Sequence, residues 1–225
     1  MRVAGSKSAM GAAQRIVSML PAHQVFVEAF AGSASVTRLC RPTAFTLLIE
    51  RDPATAAQLA VSMSDRQSTA VVCGDSLEVL RPPPGAVVYC DPPYLASTRR
   101  STKRYYRHEM LTDAEHSRFL DWAAALPCFV LISGYWSELY AAKLAAWRVE
   151  RFTVPSHTGS REECVWLNYP PPAVLHDSGH VGASFTDRQR IKRKAARWVK
   201  MLEAMPPSER SAVLDAIDYA SFRRR

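Results

Sequence analysis

No run of eighteen apolar residues occurs in this 225-residue sequence, so no segment is expected to span a membrane. The N-terminal MRVAGSKSAM has no apolar h-region of the signal-peptide type, which leads to the expectation of a cytoplasmic protein. Metal-ligand spacing is missing too. The five cysteines, Cys40, Cys73, Cys90, Cys128 and Cys164, stand far apart, and no CxxC or Cys/His cluster suggests zinc. Several of them sit in apolar runs (AVVC, VVYC), which predicts buried free thiols in a reducing compartment. No internal repeat is present. With 48% apolar and 22% charged residues, what remains is an ordinary globular composition, long enough for one α/β domain with a small appendage.

The net charge of +8 is concentrated. Residues 186–225 carry eleven Lys/Arg against five Asp/Glu, and residues 95–110 carry five against one. The rest of the chain therefore has a small net negative charge. Two basic segments on a near-neutral body fit a polyanion footprint, DNA or RNA alike.

Helical and strand-like stretches alternate along the first two thirds. Helices are predicted at 9–20, 53–63, 111–126 and 136–147, with a short one ending near Leu39. Strands are predicted at 24–29, 45–49, 69–73, 86–90 and 128–133. Thr112 is a candidate N-cap with Glu115 three residues on. The strands are apolar with little alternation, as expected where helices cover both faces of a parallel sheet. Residues 148–154 and 163–169 then read as a closing antiparallel hairpin joined by a polar loop, PSHTGSRE. The expected architecture is α/β, Rossmann-like, with a mostly parallel sheet. A domain at 1–170, a linker at 171–185 and a basic helical tail at 186–225 complete it. In the tail, Ile191, Ala195, Trp198 and Leu202 recur near helical spacing, so one face is expected to dock while Arg190, Lys192, Arg193 and Lys194 stay cationic.

The sharpest feature is Asp91-Pro92-Pro93-Tyr94, directly after AVVYC. It falls at the C-terminal end of a predicted parallel strand, where open α/β sheets bind ligands. A proline-ended strand would account for the prolines, but not for the carboxylate and aromatic ring that bracket them. An amine with a delocalised lone pair, such as N6 of adenine, would account for both. Aspartate accepts one amine hydrogen, a backbone carbonyl fixed by proline accepts the other, and the tyrosine offers a face for stacking. Earlier in the chain, Phe30-Ala31-Gly32-Ser33-Ala34 forms a small-residue turn after QVFVEA, suited to close approach of the backbone to a ligand. Glu50 ends the next strand, where an acid can accept both hydroxyls of a ribose. Asp75 follows the third strand and could also cap a helix.

In this order, the motifs resemble the Dam-like, D12 or alpha, class of N6-adenine DNA methyltransferases, over residues 1–170 and in their short phage and prophage form. The resemblance implies the class I methyltransferase fold and S-adenosylmethionine as cofactor. It makes Asp91, Pro92, Pro93 and Tyr94 catalytic. It places Gly5 and Lys7 of a G-x-K element, the turn from Phe30 to Ala34, Glu50 with Arg51, Asp75 with Ser76, and Asp91 at the cofactor. The family loop has a second glycine where this chain has Ala34. Asp91 follows Asp75 by only sixteen positions, leaving no room for the recognition domain usual in Dam-like enzymes. DNA contacts are therefore expected from Arg99, Arg100, Lys103, Arg104, Tyr105, Tyr106 and Arg107, from the loop 155–162, and from the tail. An RNA adenine methyltransferase and an inactive nucleic-acid-binding relative are the rival readings. A monomer or weak dimer is expected.

Overall fold

The computed structural model describes residues 11–98, 110, 112–156 and 159–222. The chain divides into two compact units, Met1–Asp177 and Ser178–Arg225.

The first unit is built on one seven-stranded sheet in the order β3-β2-β1-β4-β5-β7-β6. Its parallel strands are β1 (Val25–Glu28), β2 (Phe45–Glu50), β3 (Thr69–Cys73), β4 (Val87–Cys90) and β5 (Phe129–Gly134). The hairpin of β6 (Arg148–Ser156) and β7 (Gly159–Leu167) closes the far edge, with β7 antiparallel to β5. The helices are α1 (Ala12–Val17), α2 (Ser35–Leu39), α3 (Pro53–Ser62), α4 (Ser76–Val79), α5 (Asp113–Ala124) and α6 (Glu138–Lys143). This is the expected mostly parallel α/β fold with an antiparallel hairpin.

The sheet is apolar on both faces because adjacent residues on each strand feed different cores. Val27, Val88, Val130 and Ile132 pack with Phe119, Leu120 and Tyr140 from α5 and α6. Phe26, Val87, Tyr89 and Leu131 point the other way, onto Ile16 and Val17 of α1 and Val36 of α2. A third cluster joins Leu48 of β2 to Leu59 and Met63 beneath α3. Helix starts follow local chemistry. Thr112 and Glu115 form the expected capping box on α5. Asp52 accepts from the Thr55 amide at the head of α3, with Pro53 in its first turn.

Three local expectations are corrected. The helix expected over 136–147 shrinks to α6, because Ser137 adopts an extended conformation and caps it by accepting from the Tyr140 amide. Tyr135 and Trp136 are thereby left in the link after β5. The loop expected at 155–162 is instead mostly ribbon, with β6 and β7 paired out to Ser156↔Gly159. Backbone pairing needs no apolar side chains, so the polar run gave no strand signal. Finally, Cys73 is exposed, since β3 is an edge strand; all five thiols are free.

The second unit consists of α7 (Phe185–Glu203) and α8 (Pro207–Phe222). Ser184 caps α7 by accepting from the Asp187 amide. Arg190, Lys192, Arg193 and Lys194 are exposed. Within this unit α7 has no buried residue, and Trp198 is 54% exposed. No helix among the described residues is long and apolar enough to cross a membrane.

Candidate active site

The strand order reverses between β1 and β4, and open α/β sheets hold ligands in the crevice beyond such a point. Two segments meet there: the turn from Ala29 to Ala34 after β1, and Asp91–Tyr94 after β4.

The turn is fixed from below. The Ala31 amide donates to the Ile49 carbonyl at 2.9 Å, and the Gly32 amide donates to Glu50 Oε2 at 2.8 Å. Glu50 Oε1 accepts from the Asp52 amide at 2.8 Å. One carboxylate thus ties the end of β2 to the turn after β1 and orients α3. Gly32 and Ala34 both lie in the left-handed region, at φ 49° and 50°. Glycine adopts it freely; holding alanine there costs about 1 kcal/mol or more. A glycine would sit at position 34 without that strain, but Ala34 is fully buried, and its packing in the β2–α3 cluster offsets part of the cost. Phe30 packs edge-on against Phe119 at 5.4 Å, and the Ser33 hydroxyl meets that of Ser35 at 2.8 Å.

Asp75 does cap α4, accepting from the Leu77 amide at 3.0 Å, and it also faces Arg51 at 3.6 Å. Ser76 is buried and donates to the Ala29 carbonyl, a bond that joins α4 to the turn.

Asp91 is partly exposed, with Pro92 buried behind it. Ser133, on β5, donates to Asp91 Oδ1 at 2.9 Å. The Ser133 hydroxyl also meets Tyr89 Oη at 3.0 Å. Because the single Ser133 hydrogen is directed at the carboxylate, Tyr89 must donate to Ser133. Tyr89 and Ser133 are both fully buried, so Asp91 is steered by a buried two-hydroxyl relay. Tyr94 stands edge-on to Tyr135, with ring centroids 4.5 Å apart.

Several site residues were not singled out from the sequence. Glu28, the last residue of β1, is buried and accepts from the Thr37 amide at 3.1 Å and hydroxyl at 2.6 Å. Burial pushes its pKa up to about 7; the Thr37 bonds oppose this, and the charge of Asp91 adds to it. An acid inside the apolar run QVFVEA was the available signal. Beyond β5, Arg151 lies over Trp136 at 4.0 Å, while Arg161, from the segment 155–162 expected to contact DNA, donates to Tyr135 Oη at 2.8 Å. The expected positions Gly5, Lys7, Arg99, Arg100, Lys103, Arg104, Tyr105, Tyr106 and Arg107 lie outside the described residues. So the geometry brings Phe30–Ala34, Glu50, Asp75 and Asp91–Tyr94 to one end of the sheet.

Residues 51–139 match the family model of the D12 class N6 adenine-specific DNA methyltransferases. The resemblance read from the sequence motifs is thereby borne out, over a segment that includes Asp75 and the whole Asp91–Tyr94 motif. A search of curated proteins finds no match. Among solved structures, the chain is similar to the 23S rRNA methyltransferase ErmE, at 19% identity and TM-score 0.48, covering 71% of this chain and 68% of that one. It is also similar to an rRNA methylase from Streptococcus thermophilus, at 12% identity and TM-score 0.47, covering 69% and 93%. A precorrin-6y C5,15-methyltransferase from Geobacter metallireducens gives 14% identity and TM-score 0.46, covering 68% and 85%.

Proposed function

We propose that this protein transfers a methyl group from S-adenosylmethionine to the N6 of adenine in DNA, taking the base out of the stack and reading little sequence around it. The observation that carries the reading is Asp91, placed at the switch point of the sheet and steered by the buried Ser133 hydroxyl.

The residues present suit the cofactor. A carboxylate offers about four acceptor positions, and Glu50 spends two on backbone amides, leaving capacity for ribose hydroxyls. The turn from Phe30 to Ala34 presents small residues at the mouth of the crevice, and Asp75 provides a second acid beside it. When bound, S-adenosylmethionine supplies a methyl group on a positively charged sulfur. The chain's own residues prepare the acceptor. Asp91 accepts a hydrogen bond from the N6 amine, localises its lone pair, and receives the proton that the nitrogen sheds. Pro92 and Pro93 fix the backbone next to it. Tyr94, held edge-on by Tyr135, presents a face on which adenine stacks, and such stacking contributes about 1–3 kcal/mol per base. Positioning and hydrogen bonding are the main sources of rate in this scheme. A base within a duplex must flip to reach this pocket, at a cost of a few kcal/mol. The basic helix α7, with Arg190, Lys192, Arg193 and Lys194 exposed, is a source of sequence-independent phosphate contacts.

The test is incubation with tritiated S-adenosylmethionine and matched DNA and RNA strands, followed by nucleoside analysis. N6-methyladenosine in RNA alone would move the substrate class to RNA. Label on cytosine, or none on either polymer, would overturn the reading.

A further inference from the structure

The hairpin of β6 and β7 carries three arginines among its described side chains, and they differ in one respect. Arg148 pairs with Glu150, and Arg151 both faces Glu162 at 3.7 Å and lies over Trp136 at 4.0 Å. Arg161 has no carboxylate partner among the described residues. Its Nη1 donates to the Tyr135 hydroxyl at 2.8 Å, its guanidinium lies over that ring at 5.3 Å, and its Nε is buried without a hydrogen-bond partner. Holding a partly buried guanidinium without an anionic partner is costly, and an anion that met it would recover the difference. The same Tyr135 ring braces Tyr94 at 4.5 Å, so Arg161 sits one aromatic ring away from the proposed base platform. Register reinforces this. Gly134, immediately before Tyr135, pairs with Cys164 of β7, so the rigid sheet itself brings Arg161 beside the end of β5.

We infer that Arg161 binds a backbone phosphate next to the flipped nucleotide, with Tyr135 as the residue that positions both the guanidinium and Tyr94. The inference rests on the nucleic-acid reading above and identifies a contact within it. A guanidinium fork recognises a phosphate by two parallel hydrogen bonds. A phosphate contact of this kind fixes the nucleotide without reading its sequence. It would tie the depth of the base in the pocket to the position of the strand outside it.

The experiment uses the full chain and short duplexes with a single adenine in one strand. Each phosphate flanking that adenine is replaced in turn by an uncharged methylphosphonate, and binding is followed by fluorescence anisotropy. In the wild type, one replacement should weaken binding roughly tenfold or more. In Arg161→Gln the same replacement should cost nothing further. The slope of log Kd against log salt should also fall by about 0.9, the share of one phosphate contact. Arg161→Lys should keep most of the salt slope and lose part of the affinity. Tyr135→Phe, which removes only the hydroxyl, should weaken the same phosphate position in part; these two variants decide the matter if Arg161→Gln fails to fold. Identical methylphosphonate profiles and salt slopes in wild type and variants would overturn the inference. So would a loss confined to S-adenosylmethionine affinity by calorimetry. Methyl transfer by the wild type to the unmodified duplex is scored separately. If it fails while the Arg161-dependent phosphate contact is present, the proposed activity falls and this inference stands.

Discussion

Removing one hydroxyl, in Ser133→Ala, should damage activity and stability through different partners, and the two losses can be separated. Ser133 donates to Asp91 at 2.9 Å and accepts from Tyr89 at 3.0 Å in a fully buried site. A hydrogen bond to a charged group contributes about 1.5–3 kcal/mol. If all of it serves to hold Asp91 in its productive orientation, kcat falls by about tenfold to 150-fold. Tyr89 is left with a buried hydroxyl lacking its acceptor, which costs about 1–3 kcal/mol of stability. That is a substantial part of the ~5–15 kcal/mol of a typical domain. Adding Tyr89→Phe removes the stranded hydroxyl, so the double variant should regain most of the lost stability in urea titrations. Its kcat should stay low, because the hydrogen bond from Ser133 to Asp91 is still missing. Radiometric methyl transfer and equilibrium unfolding on the four proteins of this cycle give both numbers. Undiminished turnover in Ser133→Ala, or a double variant that recovers activity together with stability, would refute the relay.

Asp91→Ala and Asp91→Asn should both abolish methyl transfer with circular dichroism unchanged, since asparagine offers one acceptor and brings donors; near-normal turnover in either would remove Asp91 from the chemistry. Tyr94→Ala should lose more activity than Tyr94→Phe, by up to the 1–3 kcal/mol of one stacked base, in steady-state kinetics. Glu50→Ala should weaken S-adenosylmethionine binding in calorimetry by about 1.5–3 kcal/mol per hydrogen bond lost, while DNA affinity changes little. Glu28 gives a pH signature. Its carboxyl is raised from 4.5 to about 7 in the fold, so the folded state binds the proton more tightly than the unfolded chain. Stability should therefore fall as pH rises from about 4.5 to about 7 and level off above it. Glu28→Gln should flatten that slope in urea titrations at pH 5 to 8.

The parts of this molecule legible in its sequence are those specified by near neighbours. The β-branched runs before Asp91 and around Phe45–Ile49 announced buried strands, and Thr112 with Glu115 announced a cap that the fold contains. The motif from Asp91 to Tyr94 was visible because its four residues are consecutive. What stayed hidden depends on distant pairing. Ser133 reaches Asp91 across 42 positions, and no local pattern marks one serine at the end of an apolar strand. Glu28 is understood only once Thr37 is seen to fold back on it. The length of the β6–β7 ribbon comes from backbone bonds between polar residues, which hydropathy patterning cannot register. Trp136 was assigned to a helix by its apolar neighbours, and the capping Ser137 beside it decided otherwise.

The two edges of the sheet are not equally guarded against unwanted association. The outer strand β6 carries Arg148, Glu150 and Arg151, and Pro155 has no amide hydrogen to offer a passing strand. Charge and proline are common means of keeping a sheet edge from templating another chain. At the opposite margin, β3 reads TAVVC, with no charge, an exposed Cys73, and Val72 37% exposed. It is protected mainly by being five residues long. When the protein is stressed by heat or concentration, self-association should therefore begin along β3. A lysine in place of Val72 should raise the concentration at which the protein stays clear.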